Sequence, residues 1–453
     1  MYSKSDFFKS FLVGLLVILA GPTLLSGQEA LSLEQAINIG LTNNFQIRLS
    51  RAAVAIAENN DDWALAGKFP EVELSVSSGN NYASTDNPAS VVTQSSVIAN
   101  GITPGITANW LLYNGSRVEY TKNQLSRQVD LSNEQLRVQI QNTMQAIIQA
   151  YNGALVQRER IDVLAEVLQL SRDRIRYQEA RQEFGQASTF DLLQAEDAYL
   201  NDSTTYLIQV NAYDNALRSL QLAMGVTTPQ NYTLTDALTP DVNNYSFADL
   251  EQQMLQNNPE VKASQVSIQL AEINTRIQAA SRLPQISLSA GGNYNVNVST
   301  GSQTFNFGGM PNEQNLPGVA ARTLRGFVNL TASYNLWDGG LRQRRIETAN
   351  LQEIQSQLQY SGLEQRLQIE LANTLATYEN QQKLVAITGN LVDNARRNLD
   401  IAEERFRGGL VNSFDYRSIQ LSYINATQSR LNAILNLKNT ETELQRLTGG
   451  LLR

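Results

Sequence analysis

Two acids stand where the sequence repeats a turn, and they bound the chemistry open to it. Asp191 closes the stretch Arg181-Gln-Glu-Phe-Gly-Gln-Ala-Ser-Thr-Phe-Asp191, and Asp415 closes Arg405-Phe-Arg-Gly-Gly-Leu-Val-Asn-Ser-Phe-Asp415, 224 positions later. Arg181 thus matches Arg405, and Gly185 matches Gly409. Ser188 to Asp191 and Asn412 to Asp415 have capping-box spacing, with an acid in the first helical turn. Gly185, Gly408 and Gly409 suit the left-handed geometry in which helices commonly end. With Cys 0 and His 0, thiol chemistry, disulfides, imidazole metal ligands and every triad that needs His or Cys are excluded. Met 5 argues against a thioether path for soft metals. Carboxylates remain, but no clustered acid pair stands out for hydrolysis. The reading is therefore no enzyme, no cofactor and no metal.

The turns need helices on both sides, and the spacing supplies them. Leu371, Tyr378, Val385, Val392, Leu399 and Phe406 recur every seven residues, which keeps one apolar seam toward a partner helix. Ile140, Ile147, Ala154, Ile161, Leu168 and Ile175 do the same in a proline-free segment from about 116 to 183, which as a helix would run for about 100 Å. The return segment carries two seams, Leu193, Leu200 and Leu207 on one and Tyr199, Tyr206, Tyr213 and Leu220 on the other. Two seams call for neighbours on both sides, as in a ring of helices. Long antiparallel hairpins are expected over 116–224 and 339–448.

Elsewhere the period drops to two. Strands with one apolar and one polar face are expected at 71–78, 105–113, 285–298 and 325–337, with polar loops from Gly79 to about Pro104 and up to about Thr323. Leu41-Thr-Asn-Asn-Phe-Gln46 recurs as Leu255-Gln-Asn-Asn-Pro-Glu260, and Lys68-Phe-Pro70 as Arg282-Leu-Pro284. The chain therefore reads as an internal duplication, 28–225 and 247–450, joined by a polar linker at 226–246. Residues 1–27, with Lys4, Lys9 and the apolar run Phe11 to Ala20, read as a secretory signal. No later run is long and apolar enough for a transmembrane helix. A net charge of -8 without a basic stripe argues against nucleic acid.

Four strands cannot close a barrel, since a lipid-facing sheet has no open edges and single-chain barrels need at least about eight. If the apolar faces meet lipid, several chains must pool their strands, and three would give twelve. Against packing on a soluble core, the other face carries Ser, Asn, Gln and Glu, suited to a wet lumen. Trp110, Tyr113, Tyr334 and Trp337 sit at strand ends like an aromatic girdle.

The duplication, the strand entries at Pro70 and Pro284, Leu336-Trp-Asp-Gly-Gly340, Phe190-Asp-Leu-Leu-Gln-Ala-Glu196 and Phe414-Asp415 together resemble the outer-membrane efflux family, the TolC-like exit ducts of tripartite pumps and type I secretion systems. The resemblance covers essentially the whole mature chain. It implies a mixed α and β membrane protein: a homotrimer whose long coiled-coil helices form an α-helical barrel and whose four β-strands per chain build a 12-stranded transmembrane β-barrel. It places the protein in the cell outer membrane of a Gram-negative bacterium, its helical part in the periplasm. A periplasmic adaptor and, through it, an inner-membrane transporter would load cargo for passive export. Asp415, its duplicate Asp191, Phe406 and Arg417 would sit at the periplasmic gate, and Arg181, Gly185, Arg405, Gly408 and Gly409 at the tip that adaptors meet. A ring of three aspartates would disfavour anions and attract cations; capping alone would also account for both acids. Two departures stand out: Phe45 where the family favours proline after Asn44, and Ser418 where it has a second acid, beside an Arg417 able to offset charge. The alternative is a secreted or periplasmic coiled-coil structural or adhesive protein, which explains the heptads and the signal but not the paired amphipathic strands.

Overall fold

The computed structural model describes residues 29–228 and 230–452; the signal expected at 1–27 lies outside them, as does Pro229 in the expected linker. In chain order the first copy contains β1 (Glu29–Leu31), α1 (Leu33–Asn43), α2 (Phe45–Asn60), β2 (Glu71–Asp86), β3 (Val92–Tyr113), α3 (Arg117–Glu183) and α4 (Thr189–Met224). After β4 (Tyr232–Leu234) the second copy contains α5 (Phe247–Asn257), α6 (Pro259–Ala280), β5 (Gln285–Phe307), β6 (Met310–Ser333), α7 (Leu341–Arg407) and α8 (Ser413–Leu447), followed by a short 3-10 turn at Gly450–Leu452. The chain divides into two units: one gathers the residues up to Ala52, Gln135–Val261 and Leu363 onward; the other gathers Ala53–Glu134 and Lys262–Gly362.

In the first unit the second-copy heptad series, Leu371, Tyr378, Val385, Leu399 and Phe406, is buried except for a half-buried Val392. Of the first-copy series only Ile147 and Ala154 are buried, and Ile140, Ile161, Leu168 and Ile175 are half-buried. The 226–246 stretch is more than a polar linker: within it β4 pairs in parallel with β1, from Glu29 and Tyr232 to Leu31 and Leu234. This ribbon covers a core of Ala36, Ile147, Tyr151, Leu155, Leu220 and Met224. The Tyr151 hydroxyl donates to the Leu31 carbonyl at 3.0 Å, and burial pushes its pKa up to about 12.

The two short helices of each copy meet at an asparagine that does two jobs. Asn44 Oδ1 accepts from the Gln46 and Ile47 amides at the start of α2, while its Nδ2 donates to the Ala223 carbonyl at 2.9 Å in the last turn of α4. Asn258 repeats this with the Glu260 and Val261 amides and the Leu447 carbonyl, also at 2.9 Å. A cap and a clamp are thus combined in one side chain, satisfying groups that both helix ends leave orphaned. Phe45 occupies the first helical position that Pro259 takes in the second copy, a position where proline is favoured but not required.

The second unit holds one antiparallel sheet in the order β2-β3-β5-β6. Its strands run well past the expected bounds. The stretches 79–104 and 299–323, expected as polar loops, pair for most of their length, with ladders from Glu71 and Asn109 to Asp86 and Gln94 and from Gln285 and Ser333 to Phe307 and Met310. Backbone pairing satisfies the chain whatever the side chains are, so the loss of apolar alternation did not end the strands. Pro311 and Pro317 fit because β6 is an edge strand in this chain and one side of its backbone needs no ladder donor. β6 also stops earlier than expected, at Ser333, so Tyr334 and Trp337 follow the strand instead of closing it.

Candidate functional site

Two places carry features that local packing leaves unused: the hairpin turns of the helical unit and the faces of the sheet.

At the first turn, α3 ends with Gly185 at φ 70. The Gln186 amide donates back to the Arg181 carbonyl at 2.8 Å, and Arg181 Nη2 donates to the Gln186 carbonyl at 2.9 Å. The chain then re-enters a helix through a complete capping box, in which the Asp191 amide donates to Ser188 Oγ at 3.2 Å and the Ser188 amide to Asp191 Oδ2 at 3.1 Å. Bonds from the Ser188 side chain and amide hold the Asp191 carboxyl below its ordinary pKa.

The second turn repeats the backbone solution. Gly409 adopts φ 73, the Gly408 amide donates to the Glu404 carbonyl and the Leu410 amide to the Arg405 carbonyl. Asn412 caps α8: its Oδ1 accepts from the Asp415 amide and its Nδ2 donates to Asp415 Oδ2, both at 2.8 Å. Both acids therefore act as helix-capping partners.

Phe406 does not line an opening in this chain. It is buried between Tyr177, at 5.2 Å between ring centroids, and Tyr416, stacked at 4.9 Å, and the Tyr177 hydroxyl closes over the helix end by donating to the Arg407 carbonyl at 3.1 Å. Arg417 is turned away from Asp415. Its guanidinium forks onto Asp202 of α4 at 2.8 and 2.5 Å, and Ser171 of α3 donates to the same carboxylate at 2.5 Å. Planar two-point pairing of this kind is the strong form of the interaction. Beside it lies Arg174, buried, donating to the Gln194 carbonyl at 3.1 Å. Burial and the neighbouring Arg417 charge lower the Arg174 pKa, and burial pushes Tyr416 up to about 12.

This polar interior was missed in the sequence because it takes positions where apolar residues were sought. The buried stripe of α3 runs Leu164, Val167, Ser171, Arg174, Gln178, and counting on in steps of three and four from Leu164 would have found it. Conversely, Leu193, Leu200 and Leu207, expected as a seam, are exposed in the single chain. The turns also present Phe184, Phe190, Leu410 and Phe414 outward, each at least 70% exposed.

The sheet has two unlike faces. Directly paired residues share a face, so the ladders read across as Val72, Ala108, Ala290, Val328 and then Leu74, Ile106, Gly292, Gly326, with Tyr294 beside Leu324. Leu74 is 77% exposed, Val328 75% and Leu330 68%. The opposite face carries Glu71, Glu73, Thr107, Asn109, Ser289, Asn293, Asn329 and Arg325, with Asn295 donating across strands to Thr103 at 2.6 Å. Trp110 and Tyr113 pair with Leu288 and Ile286 and so share the apolar face. Trp110 also donates to the Lys68 carbonyl at 2.8 Å. Along β5 this face carries Leu288, Ala290, Gly292, Tyr294, Val296 and Val298, an advance of ten residues that at a strand tilt near 40° makes an apolar band about 25 Å tall, interrupted by Ser78 and Asn80 on β2 and Arg322 on β6. Neither edge strand, β2 or β6, has a second partner among the described residues. Among the same residues no helix is long and apolar enough to cross a membrane, and no three acids gather as a metal site.

Known proteins with these features are found by both sequence and fold. The chain is 26% identical over 285 residues to the outer membrane efflux protein BepC of Brucella suis, covering 62% of this chain and 59% of BepC, so it spans about three-fifths of that curated relative. The fold is shared with a membrane protein from Pseudomonas aeruginosa, at TM-score 0.71 and 18% identity over 92% of this chain and 90% of that one. It is also shared with the CmeC outer membrane channel of Campylobacter jejuni, at TM-score 0.71 and 15% identity over 92% and 85%. The family described as outer membrane efflux protein matches residues 36–226 and 250–450, one segment in each copy. Matched over both copies and sharing this fold, the chain belongs to the outer membrane efflux protein family.

Proposed function

We propose that this chain is one third of an outer-membrane exit duct that passively conducts cargo handed to it in the periplasm. The observation that carries this is the two-faced sheet: an exposed apolar face about 25 Å tall, a polar opposite face and two open edges. An apolar face of that height suits the hydrocarbon layer of a membrane, and no open edge is tolerated there. Pairing β2 of one copy with β6 of the next closes the sheet, and three copies bring twelve strands with the polar faces inward. The exposed Leu193, Leu200 and Leu207 then meet helices of neighbouring copies, giving the second seam its partner. Trp110, Tyr113, Tyr334 and Trp337 form the girdle at one rim of the barrel.

The helical hairpins form the tunnel through the periplasm, and their turns form its tip. There Arg181, Gly185, Arg405, Gly408 and Gly409 shape the surface offered to a periplasmic adaptor that links the duct to an inner-membrane transporter. The outward Phe184, Phe190, Leu410 and Phe414 add apolar anchors, the usual core of such a contact. Asp415 and Asp191, repeated three times, place carboxylates around the mouth while still capping their helices. Phe406 and the Arg417 to Asp202 pair stiffen that mouth from within. A coiled-coil adhesive protein leaves the sheet without a purpose.

The test is reconstitution of the purified protein into a planar bilayer. Detergent-solubilised trimers with single-channel conductance are expected, and Asp191→Asn with Asp415→Asn should raise anion conductance relative to cation conductance. Unchanged selectivity would assign both acids to capping alone. Recovery as a water-soluble monomer would end the duct reading.

A further inference from the structure

Beyond the row of Tyr82, Ile98 and Thr300 the apolar face of the sheet turns polar, and the hairpin end of the other face becomes apolar. On the apolar face the rows past Tyr82, Ile98 and Thr300 become Ser84, Ser96 and Ser302, then Asp86, Gln94 and Thr304, with Asn315 and Glu313 on β6. At the boundary the Tyr82 hydroxyl lies 3.2 Å from Ser96 Oγ. The other face, polar lower down and still polar through the row Thr85, Ser95, Gln303 and Gln314, gains an apolar cluster at the hairpin end, where Val92 pairs with Phe305 and Phe307 with Met310. Phe305 and Phe307 stack on that face with ring centroids 6.3 Å apart. The hairpin that carries them is closed by two residues, Gly308 at φ 65 and Gly309 at φ 92, the tight turn whose twist matches its strands. The side chains are therefore held on a regular ladder.

We infer that Phe305, Phe307, Met310 and Val92 form an apolar collar lining the outer mouth of the duct, beyond the membrane. This rests on the reading that the polar face of the sheet lines the lumen. Where the outward face meets water it has become polar, so the apolar residues on the inward face serve no lipid contact. Three copies around one mouth make a ring that water and ions wet poorly, as in channels with hydrophobic constrictions. The collar resists entry of bulky hydrophilic solutes from outside, while apolar or amphiphilic cargo can pass along it.

The test uses the absence of cysteine from the chain. Asn297 lies on the polar face below the collar, paired with Gly101 and Ala321. Intact cells carrying Asn297→Cys are treated with a small charged thiol reagent and, separately, with a maleimide on a long polyethylene glycol chain. The small reagent should label in either background. The large one should label at least about fivefold faster when Phe305, Phe307 and Met310 are all changed to serine. Phe307→Ser with Met310→Ser alters only the exposed hairpin end and serves if the triple variant fails to assemble. Equal rates in both backgrounds, with Asn297→Cys well labelled, would overturn the collar and leave the duct standing. No labelling of Asn297→Cys by the small reagent, together with labelling of Val76→Cys on the apolar face, would overturn the duct reading and the collar with it.

Discussion

At the first hairpin turn Ser188 and Asp191 satisfy each other, Arg181 closes the loop, and the large side chains of the turn point outward. At the second, Asn412 caps the Asp415 amide and donates to its carboxylate without a capping box, Phe406 stacks on Tyr416 beneath it with Tyr177 tilted against Phe406, and Arg417 reaches across to Asp202. The joints between the short helices differ likewise. Asn44 and Asn258 make the same clamp, yet only the second joint adds Arg446, which pairs with Glu260, Glu370 and Glu443. The counterpart of Arg446 in the first copy, 224 positions earlier, is Leu222, which is exposed. What recurs in both copies satisfies backbone groups: left-handed glycines, caps and the clamping asparagines. Any chain making these turns leaves the same amides and carbonyls open. What differs are side-chain networks, which depend on the helices that happen to lie alongside.

The largest effect expected from that contrast is at Arg417. Arg417→Met leaves the Asp202 carboxylate buried without its partner and should lower stability by about 3–5 kcal/mol in urea unfolding of the purified protein. Asp202→Leu added to it should recover most of the loss. Arg181→Met at the first turn should cost less than about 1 kcal/mol, and an equal cost at both turns would break the comparison.

Next come the clamps. Asn258 is 1% exposed, so Asn258→Ala strands a buried carbonyl and two amides and should cost about 2–3 kcal/mol, against about 1 kcal/mol for the more open Asn44→Ala. Equal midpoint shifts would mean that burial is not what separates the two joints.

The glycines come third. A Cβ at Gly185 or Gly409 meets nothing within 4 Å, so alanine there should cost about 1–2 kcal/mol, the conformational penalty alone. At Gly225 a Cβ would lie 2.8 Å from the Asn44 Cα, so Gly225→Ala should cost more than either and shift the Asn44 clamp with it. Thermal unfolding of the three variants orders them.

The smallest effect is on pH dependence. The Asp191 pKa is lowered in the folded chain, so its contribution to stability is present above the ordinary carboxylate range and lost as pH falls through the folded value. Asp191→Asn should flatten the acid side of the stability curve, most visibly between the ordinary carboxylate pKa and the lowered folded value. A curve unchanged in shape would deny Asp191 its capping role.

Much of this molecule was legible because its periods are local. A seven-residue repeat fixes which side of a helix is buried, and Leu371, Tyr378, Val385, Leu399 and Phe406 are buried accordingly, while a two-residue alternation separates the faces of a strand. Capping spacing and the doubled Asn-Asn motifs likewise speak only of neighbours in sequence. The long strands were harder, because residues 79–104 and 299–323 mix Gly, Asn, Ser and Pro, and their pairing is written in the partner strand rather than in their own pattern. Buried Ser171, Arg174 and Gln178 were invisible for a similar reason: polar groups can be buried wherever another helix supplies partners, and Asp202, Gln194 and Arg417 come from distant parts of the chain.

The sequence by itself determined the duplication, the helix and strand periods, the capped turns and the family resemblance, since each depends on residues within a few positions of one another or on one copy matching the other. Only the tertiary structure decided that Arg417 pairs with Asp202 instead of shadowing Asp415, that Phe406 is packed inside, and that the apolar face of the sheet turns polar beyond Tyr82. Those outcomes rest on which strand lies beside which and in what register, and register is set by contacts across the chain, not along it.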